Sequence, residues 1–192
     1  MDPRLRIPAL EELPFLIDAK DFEKRVIEAA AEVQQQTGCP VNFHPGRHIK
    51  APYEVLRIFG EAGGDVRHMV MSHLERTIND EGQLLEFAEL GSYLEFDLFG
   101  VEVSNYQLNE EIDMPSDAQR IQRIWQLVDE GYEKSILVSH DIYSRHRLRK
   151  YGGHGYGHIL ENVLPKMLNR GLSQSVIHSI ITRNPRQLLT WK

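Results

Sequence analysis

Apolar positions along the chain fall into two alternating kinds of run. From Asp21 onward, Val26, Ala29, Ala30 and Val33 recur at steps of three and four, the spacing of one helix face. Gly38 stands where a C-terminal cap belongs, with Pro40 just beyond. Residues 40–44 (PVNFH) then read as a short strand closed by the Pro45-Gly46 turn. The alternation repeats three times. A helix over 53–62 (Val55, Leu56, Ile58, Phe59) ends at Gly63-Gly64 and leads to a strand at 67–73. A helix over about 82–90, capped by Gly91, leads to a strand at 92–97. A polar linker, 102–116, precedes an amphipathic helix at 118–130 (Ile121, Ile124, Trp125, Val128), and the last strand follows at 134–141. Beyond it come a basic, Gly-rich loop at 145–157, helical segments broken by Gly171 and kinked or ended by Pro165, and a final short helix opened by Asn184-Pro185. Residues 1–20, punctuated by Pro3, Pro8 and Pro14, give no clean period and read as an irregular arm.

Strands that alternate with helices imply βαβ units, a parallel sheet and right-handed crossovers. The apolar run Ile136, Leu137, Val138 does not alternate, as expected of a strand buried on both faces. Four such strands make either a small open sheet or half of an eight-stranded barrel, and the pattern alone leaves both open.

Composition narrows the function classes. The chain has 192 residues, enough for one domain with a sizeable core. A formal net charge of −6 argues against a nucleic-acid partner, which needs a clustered basic surface. The single cysteine, Cys39, excludes an internal disulfide, accords with a reducing compartment, and lies in a turn without an evident base, so it is expected to be inert. No apolar run is long enough to span a membrane, and the first twenty residues lack the apolar stretch of a signal peptide. A cytoplasmic protein acting on a small molecule, with no nucleic acid and no membrane, is the expectation.

The chemistry gathers at the strand ends. His44, His73, Asp97 and Asp141 each occupy the last position of a predicted strand. Parallel strands bring their carboxyl ends to one rim, so these four side chains would converge. Two imidazoles and a carboxylate suit a divalent metal of the zinc type. The plainer reading of any single strand-terminal histidine is a hydrogen-bonded cap, and it is the recurrence that favours a site. Other candidates are weaker. Arg47 reads equally well as a contact for a substrate anion and as a solvated loop residue. His154 and His158 are four apart without an intervening glutamate, in a glycine-rich stretch that reads as a flexible loop over the rim. In an extended chain His140 and Asp141 point apart, so only one faces the site.

The stretches VNFHPGR (41–47), VMSHLERT (70–77), YLEFDLFG (93–100), ILVSHD (136–141), YGGHGYGHILENVLPKML (151–168) and NPRQLLTW (184–191) resemble the phosphotriesterase family of the amidohydrolase superfamily, most closely its animal, phosphotriesterase-related branch. The resemblance runs in register from about residue 21 to the C-terminus. It implies an incomplete (β/α)8 TIM barrel, about four parallel strands with flanking helices, formed by 21–192 as the C-terminal half and preceded by an unmatched arm, 1–20. His44 and His73 would be metal ligands ending the fifth and sixth strands. Asp141 would be a ligand ending the eighth strand and the catalytic proton acceptor. Asp97, ending the seventh, and Arg47 would meet substrate. The cofactor would be zinc or another divalent metal, two ions in a complete family site. The reaction would be a metal-activated hydroxide attacking an ester or N-acyl amide, of the N-acetyltaurine kind in the animal branch. The family's first strand also supplies a His-x-His pair, and its fourth a carboxylated lysine or a glutamate. Neither is matched before His44, so at most a partial site and an impaired, truncated hydrolase are expected.

Two readings from other classes stand beside this one. A non-catalytic half-barrel could serve as a binding or regulatory partner, and its open sheet edge would favour self-association. An unrelated flavodoxin-like module would need a Gly-rich turn at a topological switch point.

Overall fold

Five parallel strands form a single sheet in the order β1-β2-β3-β4-β5, each hydrogen-bonded to its neighbour in sequence. This computed structural model describes Ala9–Leu10, residues 21–103, 105–110 and 112–190. The strands are β1 (Ala9–Leu10), β2 (Val41–Phe43), β3 (Met69–Met71), β4 (Tyr93–Phe96) and β5 (Ile136–Val138). The principal helices are α1 (Asp21–Thr37), α2 (Ala51–Glu61), α3 (Leu74–Thr77), α4 (Glu81–Ala88), α5 (Asp117–Asp129), α6 (Leu164–Asn169), α7 (Gln174–His178) and α8 (Asn184–Leu189). The order runs without reversal, as in a stretch of a β/α barrel. A doubly wound sheet reverses at its switch point, so the flavodoxin-like alternative falls. Four strands are the predicted ones. The fifth, β1, lies inside the stretch read as an irregular arm, where a two-residue strand is too short to show a period.

Alternation along the strands builds two unequal cores. Val41, Phe43, Met69, Met71, Leu94 and Phe96 face the helices in the main core. Val70, Tyr93, Leu137 and Leu188 form a small cluster on the opposite face. Beside that cluster is a cavity of about 380 Å³, also lined by Asn42, Glu95 and His140. This second face corresponds to a barrel interior, and α8 covers part of it through Leu188.

Three details differ from the sequence reading. In α1 the buried stripe is Ile27, Ala30, Ala31 and Gln34, one residue over from the stripe predicted, and Val33 is exposed. Both sets obey the same spacing, but only the observed one includes Gln34, whose amide bonds the Asp65 and His68 carbonyls and the Asp65 N–H. In α5, Leu127 is buried where Trp125 was expected, and Trp125 is exposed. Pro165 neither ends nor breaks its helix. A π-helical turn, Ile159–Val163, precedes it, and a second, Ser179–Arg183, precedes Pro185. The wider turn absorbs the N–H each proline lacks and the clash with the carbonyl four residues back.

The segment after β5 is packed rather than loose. Arg147 donates to the Asp141 carbonyl at 2.6 Å, and its own carbonyl accepts from the Gly155 N–H at 2.8 Å. A Cβ at Gly153 would collide with the Arg147 backbone, so only glycine fits there. His154 lies over Gly100, where an added Cβ would come within 2.5 Å of the ring. The His140 and His154 rings stack with centroids 5.8 Å apart, and His158 meets the Asp117 carboxylate at 2.6 Å. His140 Nε2 accepts the Ile159 N–H at 3.1 Å, tying the end of β5 to the helix that follows.

Arg120, fully buried on α5, joins that helix to the loops of the rim. Its guanidinium donates to Asp117 at 2.8 Å and to the Val101 carbonyl at 2.8 Å, and its Nε lies 3.4 Å from Glu75. Removing one member of a buried charge cluster leaves the others uncompensated. Arg120→Met is therefore expected to lower unfolding free energy by about 3 kcal/mol in urea titration. The figure sits at the low end because Glu75, pushed up to about 8 by burial, can take up a proton.

Burial, with His154 and His158 nearby, depresses the His140 imidazole to about 4. Between that value and 6.5 the unfolded chain binds the proton and the folded chain does not, so this group's contribution is full above pH 6.5 and is lost as pH falls toward 4. His140→Leu also orphans the Ile159 N–H. We expect a loss of about 1–3 kcal/mol at pH 8, with the gap to wild type narrowing by pH 5 in urea midpoints. A gap constant with pH would contradict the assignment.

Candidate active site at the carboxyl rim

The four predicted strand-end residues do not lie within strands. They follow β2, β3, β4 and β5 by one to three positions, where the chain turns out of the sheet. His73 and Asp141 adopt the left-handed conformation, with φ of 56° and 45°. Non-glycine residues pay for that geometry, and it is found where a side chain must be aimed. For His73 it turns the chain directly into α3, so that Arg76 and Thr77 come back beside the rim.

A continuous hydrogen-bonded chain results. Arg76 donates to His44 Nε2 at 3.0 Å, His44 Nδ1 meets His73 Nε2 at 2.7 Å, and His73 Nδ1 meets Asp97 Oδ1 at 2.7 Å. Arginine only donates, so His44 Nε2 is the acceptor and Nδ1 of the neutral ring carries the proton. That proton goes to His73 Nε2, and His73 in turn donates from Nδ1 to Asp97. Burial first, then the charges on His73, Arg76 and Arg47, lower His44 to about 3, so its ring is neutral across the physiological range. Asp97 also accepts the His73 backbone N–H at 3.1 Å. Burial and the Asp141 carboxylate push Asp97 up to about 8, while Arg76 and the His73 N–H oppose the shift.

The site residues expected from the sequence separate into two groups. His44, His73 and Asp97 are in direct contact. Asp97 is buried beside His73 and accepts from its ring and from its backbone N–H. Asp141 acts on Asp97 and Glu95 electrostatically, and its carboxylate lies 3.8 Å from Arg147. Arg47 donates from Nε to the Tyr106 hydroxyl at 2.9 Å and remains partly exposed. Residue-type spacing did not single out Arg76, Glu75 or Arg120. Arg76 follows His73 by three positions, which a helix opening at the strand end would place on the same side. Further down the inner face, Glu95 accepts from Ser72 at 2.6 Å and from Asn42 at 3.4 Å, and burial raises it to about 7.

The fit of a divalent metal can be judged from these contacts. His73, whose Nδ1 is held by a carboxylate, presents a lone pair at Nε2 and is a suitable donor, whereas His44, whose Nε2 accepts from Arg76, carries its proton on the rim-facing Nδ1. Two nitrogens on one tetrahedral zinc would stand about 3.3 Å apart, however, and the 2.7 Å between His44 and His73 is a hydrogen bond. Among the described residues no three ligand-type side chains are grouped so as to hold an ion. By themselves the described residues do not form a metal centre.

The chain resembles known proteins in sequence and in fold. A family model described as "Phosphotriesterase family" matches residues 16–189. The chain is 59% identical over 172 residues to an N-acetyltaurine hydrolase of Xenopus tropicalis, covering 90% of this chain and 49% of that protein. It is 58% identical over 172 residues to the Mus musculus protein of the same name. It therefore spans about half the length of these curated relatives. Among solved structures, a resiniferatoxin-binding protein from Rhodobacter sphaeroides superposes with a TM-score of 0.84 at 31% identity, over 90% of this chain and 48% of that one. The phosphotriesterase homology protein from Escherichia coli, complexed with phosphate in its active site, gives 0.78 at 26%, over 92% of this chain and 57% of that one. Sequence match and superposition agree that the chain belongs to the phosphotriesterase family and folds as part of its barrel.

Proposed function

We propose that this chain provides the carboxyl-rim half of a metal-dependent amide hydrolase acting on N-acetyltaurine or a closely similar N-acyl amide. The supporting observation is the Arg76–His44–His73–Asp97 chain at the rim, in a sequence 59% identical to an N-acetyltaurine hydrolase over their shared 172 residues. In this reading His44, His73 and Asp141 are ligands for zinc, with the remaining ligands outside the described residues. When bound, the metal supplies Lewis-acid polarisation and a lowered water pKa. The protein's own contributions follow from the contacts. Asp97 fixes the His73 tautomer so that Nε2 keeps its lone pair toward the rim, Arg76 steadies His44, and Asp141 accepts the proton released in hydrolysis. Arg47 meets the anionic end of the substrate. A cytosolic setting accords with a single, buried cysteine.

Taurine release from N-acetyltaurine and zinc content, measured on the same preparation, test this reading. Asp141→Asn is expected to lower turnover about 10²-fold or more, with an unchanged unfolding midpoint. Near-normal taurine release from that variant removes Asp141 from its role.

The lack of a three-ligand group among the described residues favours one alternative, a non-catalytic half-barrel acting as a binding or regulatory partner. Zinc uptake below one ion per chain, with no turnover where the frog relative is active, would support that alternative. Either reading leaves β5 as a sheet edge among the described residues, with the second face thinly covered. Sizing chromatography across a dilution series should therefore show concentration-dependent association, and a sharp, invariant monomer peak would contradict it.

A further inference from the structure

The inner face of the sheet carries an acid that the rim chemistry does not use. Glu95, on β4, lines the cavity of about 380 Å³ together with Val70, Leu137, Ile159 and Leu188. That volume lies within the range of small-molecule pockets. The Glu95 carboxyl accepts from the Ser72 hydroxyl at 2.6 Å and from the Asn42 amide at 3.4 Å, and both donors are neutral. Both bonds fall on Oε2, so among the described residues Oε1 is left without a donor.

The electrostatic setting is one-sided. Burial and the carboxyl groups of Asp97 and Asp141 push Glu95 up to about 7, against the two hydrogen bonds. The strongest charges acting on it are thus negative like its own. His140 also lines the cavity, but burial depresses its ring to about 4, so it brings no positive charge at neutral pH. A half-buried carboxylate in such surroundings favours an incoming cation. A metal ion finds no group of three ligand-type side chains among the described residues. The apolar walls favour an organic body instead, and the free Oε1 calls for an N–H, which a quaternary ammonium lacks.

We propose that the inner-face cavity binds a primary alkylammonium ligand, whose N–H groups meet Glu95 Oε1 and whose hydrocarbon chain lies against Val70, Leu137 and Leu188. The site uses none of the groups proposed as metal ligands, and it does not depend on the hydrolase reading. Charge complementarity and the open oxygen select the head, and the cavity walls select the tail.

Calorimetric titration of the whole chain tests this with three probes that share a tail: hexylammonium, hexyltrimethylammonium and the neutral 1-hexanol. At pH 8 Glu95 is largely ionised and the primary amine is protonated. We expect hexylammonium to bind at least about tenfold tighter than either of the others. Glu95→Gln keeps the side-chain shape and the Ser72 contact, and it should bring hexylammonium down to the level of 1-hexanol. In the unsubstituted chain, the methyl NMR signals of Val70, Leu137 and Leu188 should shift as hexylammonium is added. Undiminished binding in Glu95→Gln would trace the attraction to the net charge of −6 and overturn the site. Equal binding of the three probes, no binding of hexylammonium, or unmoved signals at Val70, Leu137 and Leu188 would also overturn it. Should Glu95→Gln fail to fold, the probe series and the methyl shifts of the unsubstituted chain decide.

Discussion

Because every strand pairing is parallel and consecutive, the carboxyl ends of β2, β3, β4 and β5 must lie on one rim. That constraint turns residues scattered over half the sequence into neighbours. His44, His73 and Asp97 come within hydrogen-bonding distance without any loop having to carry them there. The helices then act as supports. α3 begins at the left-handed His73 and returns Arg76 to His44, and α5 brings Arg120 to Asp117 and Glu75. Short strands suffice because the packing of the helices on one sheet face holds their direction.

Buried charge is the main expense of this arrangement, and the structure handles it in two ways. Around Arg120 opposite charges meet directly, with the Val101 carbonyl satisfying a further donor. Beside His44 the strategy is different: a cation and a carboxyl lie at opposite ends of two imidazoles, and neutral polar contacts satisfy the interior of the chain. The first cluster is compensated locally and serves rigidity. The second leaves Arg76 bonded to neutral groups among the described residues.

The sequence made the helix–strand alternation legible because strand runs were apolar and helix runs were punctuated by glycine. It placed His44, His73, Asp97 and Asp141 at strand ends, and all four lie in the turns just past them. The remainder was illegible for identifiable reasons. In α1, two stripes satisfied the same period, and only the bonds Gln34 makes to a distant turn distinguish them. Pro165 suggested a break because a local rule takes no account of a π-turn upstream. Arg76 was passed over because a lone arginine in a helix is ordinary in sequence, and only its burial makes it unusual. The glycine-rich stretch read as a flexible loop over the rim, whereas Gly153 and Gly155 pack closely against Arg147 and Arg149.

The chain of contacts at the rim also explains why these side chains are ordered as they stand. His44 Nδ1 and His73 Nε2 are the two imidazole nitrogens not taken by Arg76 or Asp97, and they satisfy each other. Neither is left orphaned in a buried setting, which would be costly. The outer contacts therefore do double duty. They set the tautomers, and they direct the two remaining nitrogens toward one point on the rim. Any group that took both nitrogens would have to separate the rings and, at His44, displace the Nδ1 proton together with the Arg76 contact that puts it there.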